Sequence, residues 1–341
     1  MPGIAVSPWS AEHEAAVADF VSAHAEGLIY YSPAFRSYLL AVAGGECRSQ
    51  IALDRGRVVG VLPVLMKPGP FGPVLNSLPF FGSNGGVLAS SSAAEAALRA
   101  EYDRLASEAA VATWIAHPFM DTPAPRHDLT DERIAQWTML SAADAVPPGV
   151  ESSARRNIQK AQSSGVTVRE SAGALGFLEA THRANMAAIG GRAKPAAFFS
   201  QLETTMTYGR QWRLHVAERD GQALAALLTF EAAKTVEYVM PVVVESARSL
   251  QPTAVILAAA MADAAKRGFT RWNWGGTWLS QEGVYRFKKK WGAVERRYRY
   301  FITLNDASLR RRPAAELSAA YPWYFTLPYD QLAPTEPHNG H

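Results

Sequence analysis

The chain has 341 residues, of which 48% are hydrophobic and 19% charged, values that exclude a disordered or fibrous protein and call for two folded domains. A single cysteine, Cys47, excludes an internal disulfide and a cysteine-built zinc site, and points to a reducing, cytoplasmic setting. The net charge of +3 is too small for a protein that coats DNA, yet residues 285–312 hold ten Lys or Arg against two Asp or Glu, leaving −5 for the remainder, so one region calls for an anionic partner.

The start, "MPGIAVSPWSAEHEAA", lacks the basic and apolar blocks of a signal peptide, and residues 10–25 read as largely helical. "SQIALDRGRVVGVLPVLM" (49–66) reads as two strands joined at Asp54-Arg55-Gly56-Arg57. "SLPFFGSNGGVLAS" (77–90) is glycine-rich but lacks the Lys-Ser/Thr ending of a P-loop, which favours a structural turn over a phosphate cradle. A helix over 92–110 and the short strand "VATWIAH" complete the first half.

Pro147-Pro148-Gly149 then breaks structure, which places a boundary near residue 145 and divides the chain into domains 1–145 and 146–312 with a tail at 313–341. Ser152 or Ser153 is the expected cap of a helix carrying Arg155, Arg156, Asn157 and Lys160. A helical stretch (171–189) follows, and then "RLHVAERDGQALAALLTF" (213–230) repeats the hairpin pattern, with Asp220-Gly221 as a two-residue turn signal. The helix over 252–268 opens at Pro252 and closes at Gly268. Its apolar run, "AVILAAAMADAA", is broken by Asp263 well short of a membrane span. "FTRWNWGG" reads as a strand ending at Gly275-Gly276. Helix, hairpin, strand, helix and strand, repeated once, predict an α/β (α+β) duplication with mixed sheets flanked by helices. The tail, rich in aromatics and prolines, is expected to pack irregularly, with disorder over 335–341.

Eight scattered histidines form no metal-binding spacing, and neither a GxSxG elbow nor a histidine partner for Cys47 is evident, so no metal and no hydrolytic nucleophile is expected. His182, on a helical stretch, reads as structural. The informative stretch is "GVYRFKKKWG" (283–292). As a helix it puts Phe287 and Trp291 on one face and Tyr285 with Lys288-Lys289 on another, so the rings can anchor the turn and leave Lys288 partly buried and oriented. A lone lysine run is ordinarily a solvated face. Here the preceding "RWNWGGTW", with Trp274, Gly275 and Gly276 where a ligand can approach the backbone, favours a site.

Taken in order, "RRNIQKAQSSGV", "AMADAAKRGFTRWNWGG" and "GVYRFKKKWG" resemble the Fem family of aminoacyl-tRNA-dependent peptidyltransferases, whose members carry tandem GNAT-type acyltransferase domains. The resemblance is strongest over 150–304. It implies two GNAT-like domains with a catalytic second domain that moves an aminoacyl group from aminoacyl-tRNA to an amine, on a cell-wall precursor or a natural-product intermediate. By the same resemblance Lys288 contacts the acyl-tRNA end and steadies the tetrahedral intermediate, with Phe287 beside it, and Tyr285, Trp274, Gly275, Gly276, Arg155, Arg156 and Asn157 are substrate-binding candidates. Lys289, Lys290, Arg296, Arg297 and Arg299 are positioned in the sequence to meet tRNA phosphates. No single carboxylate stands out as a base: Glu231 and Glu237 sit on expected strands and either could face the cleft, whereas substrate-assisted proton transfer would leave both structural. GNAT enzymes hold the coenzyme A pyrophosphate with a glycine-bearing Q/RxxGxG/A stretch at the start of the central helix. Here that place reads "VVESARSLQPTA", which moves weight from acyl-CoA to aminoacyl-tRNA, so no cofactor beyond the co-substrate is expected. An acyl-CoA N-acyltransferase and a non-catalytic RNA-binding module are the alternatives.

Overall fold

The computed structural model describes residues 3–78, 85–144 and 146–329. The chain opens with strand β1 (Ala5–Pro8) and helices α1 (Glu14–Ala23) and α2 (Pro33–Ala43). Helix α2 begins where Ser32 accepts a hydrogen bond from the Phe35 amide and Pro33, which has no N–H to waste, takes the first helical position. The strands β2 (Glu46–Cys47), β3 (Gln50–Asp54), β4 (Arg57–Leu62), β5 (Leu65–Lys67), β6 (Val74–Asn76) and β7 (Leu88–Ala89) follow, then α3 (Ser92–Ala106), β8 (Val111–Ile115) and the long β9 (Leu129–Met139). After the Pro-Pro-Gly break come α4 (Ser152–Ser163), β10 (Thr167–Glu170), α5 (Leu175–Ala188), α6 (Ala196–Thr205), β11 (Trp212–Arg219), β12 (Gln222–Ala232) and β13 (Thr235–Val243). Helix α7 (Pro252–Lys266), β14 (Arg271–Trp278), α8 (Glu282–Lys289), β15 (Val294–Leu304) and α9 (Ala314–Ala320) end the order.

Both expected hairpins form. Arg55-Gly56 and Asp220-Gly221 take positive φ at both turn positions (50° and 78°, 52° and 75°), the twist that lets β3–β4 and β11–β12 pair directly. Each hairpin is accompanied by a parallel crossover: β6–α3–β8 in the first half and β13–α7–β14 in the second. The duplication read from the sequence is therefore present as a repeated supersecondary unit.

The chain forms two compact units, and they differ from a cut at residue 145. One contains residues 1–20, 30–133 and 297–341; the other contains 21–29 and 134–296. The reason is strand pairing: the second part of β15, from Tyr300 to Leu304, is antiparallel to β8 from Ile115 to Val111, so it belongs to the first unit. The tail belongs there too. Tyr321 donates to the Gly72 carbonyl and accepts from the Phe71 amide, Tyr324 donates to Gly44, and Tyr321, Tyr324 and Leu327 are buried. The expected disorder at 335–341 and the centre of the glycine-rich stretch, 79–84, lie outside the described residues.

In the first unit the sheets run β1-β3-β4-β7 and β15-β8-β6-β5-β2; in the second the order is β10-β11-β12-β13-β14-β9. The first core gathers Leu62, Leu75, Leu98, Tyr102 and Trp114 between α3 and its strands. The second gathers Leu227, Val236, Leu257, Met261, Trp272 and Trp274 under α4 and α7. At about 1.5–3 kcal/mol for each large apolar side chain buried, either set is enough to organise a domain. The expected cap of α4 is corrected: Glu151 occupies the cap position, Ser152 receives the Arg156 guanidinium, and the Ser153 hydroxyl donates to Glu151.

Candidate active site

The site is assembled where β13 and β14 part. These parallel strands share three pairs, Thr235↔Arg271, Val236↔Trp272 and Glu237↔Asn273, and then cease to pair with each other, β13 running on to Val243 along β12 and β14 to Trp278. At the last pair the Asn273 carboxamide donates to Glu237 Oε2 at 2.8 Å and accepts from the Gly275 amide at 3.0 Å. The strand does not stop at the glycines as expected; it runs through them to Trp278, with Gly275 at φ +71°, a conformation that a side chain would strain.

This local turn sends the carbonyls of Gly275 and Gly276 toward α8. Lys288, only 4% exposed, places Nζ 2.7 Å from Thr277 Oγ1, 3.3 Å from Gly275 O and 3.4 Å from Gly276 O. The Thr277 hydroxyl donates onward to Gln136 Oε1 at 3.0 Å, and the Gln136 amide donates to the Tyr285 carbonyl at 3.3 Å. Burial pushes the Lys288 ammonium down from 10.5 to about 8. At neutral pH it is therefore still mainly a cation, held away from bulk solvent.

Helix α8 owes its orientation to its two faces. Phe287 meets Trp274 edge-on at 6.0 Å, and Trp291 is buried beside the same ring at 6.3 Å. On the outer face Tyr285 donates to Glu295 at 2.8 Å and Lys289 pairs with Glu295 at 3.2 Å. Lys288 thus does not share the face of Tyr285 and Lys289 but turns inward between the two. Its C-terminal end is tied to the segment before α4: Val150 bridges Trp291, the Glu151 amide donates to Lys290 O, and Thr138 donates to Trp291 O. A Cβ on Gly292, at φ +71°, would lie 2.9 Å from the Gly149 carbonyl carbon, so only glycine permits this crossing.

The remaining candidates separate by environment. Arg155 is committed to the carbonyls of Val150, Pro147 and Pro148, where it steadies the segment that holds α8. Arg156, Asn157 and Lys290 are exposed. Arg296 lies in the second unit, whereas Arg297 and Arg299 lie in the first, where both approach Glu132, at 2.6 and 3.7 Å. Trp274 is buried and donates from Nε1 to Thr138 at 2.9 Å. Glu231 is removed from the candidate bases: it is 1% exposed and held by Arg267 through two 2.6 Å bonds, with Arg213 at 3.3 Å. His182 accepts from the Lys194 amide, a structural role. Among the described residues no cluster of three or more His, Cys, Asp or Glu could hold a metal ion, and no helix is long and apolar enough to cross a membrane.

Thr277, Gln136, Thr138 and Tyr238 were missed by sequence reasoning. Gln136 and Thr138 carry no distinguishing signal, because the other buried positions of their strand include the charged Asp131 and Arg133. Their meeting with Thr277 and Trp274, more than 130 positions away, has no local signature.

Residues 150–289 match the acetyltransferase (GNAT) domain family. The matched stretch lies within unit two, whose fold is GNAT-like. FemX resembles the whole chain at 13% identity, with a TM-score of 0.69 over 90% of this chain and 99% of that one. The C-terminal domain of a putative lysylphosphatidylglycerol synthetase from Agrobacterium fabrum gives 0.59 at 11% identity over 93% and 99%. A tandem GNAT protein from the clavulanic acid biosynthesis pathway gives 0.50 at 13% identity over 88% and 98%. No curated protein matches. The fold is thus that of Fem-like tandem GNAT proteins, as the sequence resemblance implied.

In this GNAT-like unit the entry to α7 is unusual for a phosphate cradle. A short 3-10 turn, Glu245–Leu250, precedes Gln251, which takes a left-handed conformation without being glycine. Pro252 has no amide proton and the Ala254 amide already donates to Gln251 O. Two of the first-turn donors that would meet a pyrophosphate are thereby removed.

Proposed function

We propose that the chain is an aminoacyltransferase that forms an amide by moving an aminoacyl group from aminoacyl-tRNA to an amine, on a peptidoglycan precursor or a natural-product intermediate. The observation that carries this reading is the buried Lys288 ammonium, fixed on Gly275, Gly276 and Thr277 beside the parted strands. The ester of an aminoacyl-tRNA is already activated. The protein must align the amine, stabilise charge on the carbonyl oxygen and let a proton leave.

In the reaction the amine lone pair attacks the ester carbonyl and a C–N bond forms. The tetrahedral oxyanion then collapses, the C–O bond to the ribose breaks, and the proton lost by the amine ends on the released ribose hydroxyl. Lys288 holds two contacts at 3.3 and 3.4 Å, long enough that one N–H can be exchanged for the stronger, charge-assisted bond to the oxyanion. Thr277, Gln136 and the Trp274–Phe287–Trp291 cluster keep the ammonium in place while this occurs. Exposed Arg156, Lys290, Arg297 and Arg299 are available to phosphates. The weakened amide set at the start of α7 favours this donor over acyl-CoA, and the likeness to FemX and to a lysylphosphatidylglycerol synthetase is in keeping with it.

The test is transfer from a labelled aminoacyl-tRNA mixture to candidate amines, with Lys288→Ala alongside. Absence of transfer from every donor, or full activity in the variant, sinks the proposal. The GNAT match favours a second reading, an N-acyltransferase using acyl-CoA. It requires thiol release on mixing acyl-CoA with an amine.

A further inference from the structure

The first residues beyond the last β13–β14 pair are Tyr238 and Trp274, one on each strand. Their ring centroids are 5.0 Å apart with the planes inclined at 59°, so the rings meet at the inner end of the gap between the strands. Trp274 is immobilised by its bond to Thr138 and by Trp272, Phe287 and Trp291 around it. Tyr238 is half-buried, and burial raises its hydroxyl above the ordinary value. Beyond this pair the gap opens: Val239, Gly275 and Gly276 are half-buried and Pro241 is exposed.

A strand advances by about 3.3 Å per residue, so the Gly275 and Gly276 carbonyls that hold Lys288 stand only one or two steps outward from the ring pair. A donor with a large body enters from the open end. Once its carbonyl oxygen faces Lys288, the acyl substituent points toward the rings and has little room. We infer that Tyr238, packed on Trp274, is the residue that sets the size of the transferred acyl group, admitting substituents of about one to three heavy atoms and rejecting branched or aromatic ones. This rests on the reading of Lys288 as the group facing the donor carbonyl.

The experiment uses the full chain and two parallel series carrying glycyl, alanyl, leucyl and phenylalanyl groups: stable 3′-aminoacylamino-adenosines, whose binding is followed calorimetrically, and the corresponding coenzyme A thioesters, whose transfer is followed by thiol release. The expected result in one series is at least tenfold preference for glycyl and alanyl over leucyl and phenylalanyl, the discrimination a tight apolar wall can supply. Tyr238→Ala raises the leucyl response at least tenfold relative to alanyl. Tyr238→Val does so in smaller measure if the alanine variant folds poorly. Tyr238→Phe, which keeps the ring, keeps the ratio. A size step confined to the thioester series upholds the ring wall and overturns the tRNA donor. Responses within threefold across both series, no response in either, or a uniform loss in Tyr238→Ala and Tyr238→Val overturn the inference.

Discussion

The two parallel crossovers begin alike and end differently. In the first unit β6 and β8 share three pairs that close at Asn76↔Thr113, as β13 and β14 close at Glu237↔Asn273. Beyond Asn76 the chain fills the place itself: the Asn76 side chain bonds both the amide and the carbonyl of Phe325, at 2.8 and 2.9 Å, and Ser77 Oγ receives the Ile115 amide. In the second unit Asn273 and Glu237 bond to each other, and beyond them Tyr238, Val239, Gly275 and Gly276 are only half-buried beside a buried cation. A duplicated fold has thus spent one gap on stability, with its own tail as the occupant, and left the other available for chemistry.

Paired variants test this contrast most strongly. Lys288→Ala should lower kcat about 100- to 1000-fold, the loss typical of one oxyanion donor, with a small change in the KM of the amine. Asn76→Ala should do the reverse: a loss of stability of about 1–3 kcal/mol from the two bonds to Phe325, read by urea unfolding, with kcat close to wild type in the folded fraction. Equal kinetic damage from both would erase the distinction.

A sharper effect of intermediate size lies in pH. The ammonium of Lys288 deprotonates near 8 in the folded chain and near 10.5 when unfolded. Activity should therefore fall as pH rises through about 8. Stability should move the opposite way: between 8 and 10.5 the unfolded chain binds more protons, so unfolding becomes harder as pH increases, by up to roughly 3 kcal/mol. Rate profiles and urea midpoints from pH 6 to 10.5 check both signs, and Lys288→Met should remove its share of the rise in stability, leaving the share of Lys194, which burial pushes down from 10.5 to about 7. The smallest effects are expected on the exposed face of α4. Arg156→Ala with Asn157→Ala should change stability by less than about 0.5 kcal/mol and, for a tRNA donor, weaken binding with a salt slope reduced by about one. An unchanged slope would remove α4 from the nucleic-acid surface.

The helix at 282–289 and its anchoring rings were readable because Phe287 and Trp291 lie four residues apart and local periodicity reports which faces are buried. The side on which Lys288 lies was not, since it was expected beside Tyr285 and Lys289. Nor was its depth: partial burial was expected, whereas Lys288 is 4% exposed. Arg155, expected to meet substrate, became a clamp on carbonyls of the preceding loop, because the close crossing of Gly149 and Gly292 brings those carbonyls within its reach. Glu231 read as well as Glu237 for a base; only the arrival of Arg267 and Arg213 separated them.

By itself, the sequence determined the hairpins, the helix boundaries marked by Pro252 and Gly268, the duplication and the cationic turn. Each depends on dihedral preference or on side-chain spacing within a few residues. Tertiary structure alone decided that the tail would occupy the first gap, that β15 would return to the first unit, and that Gln136 and Thr138 would stand beside Thr277 and Trp274. Those outcomes follow from strand neighbours far apart in the chain, where the hydrogen-bonding needs of buried backbone and polar groups choose the partner and no local pattern encodes the choice.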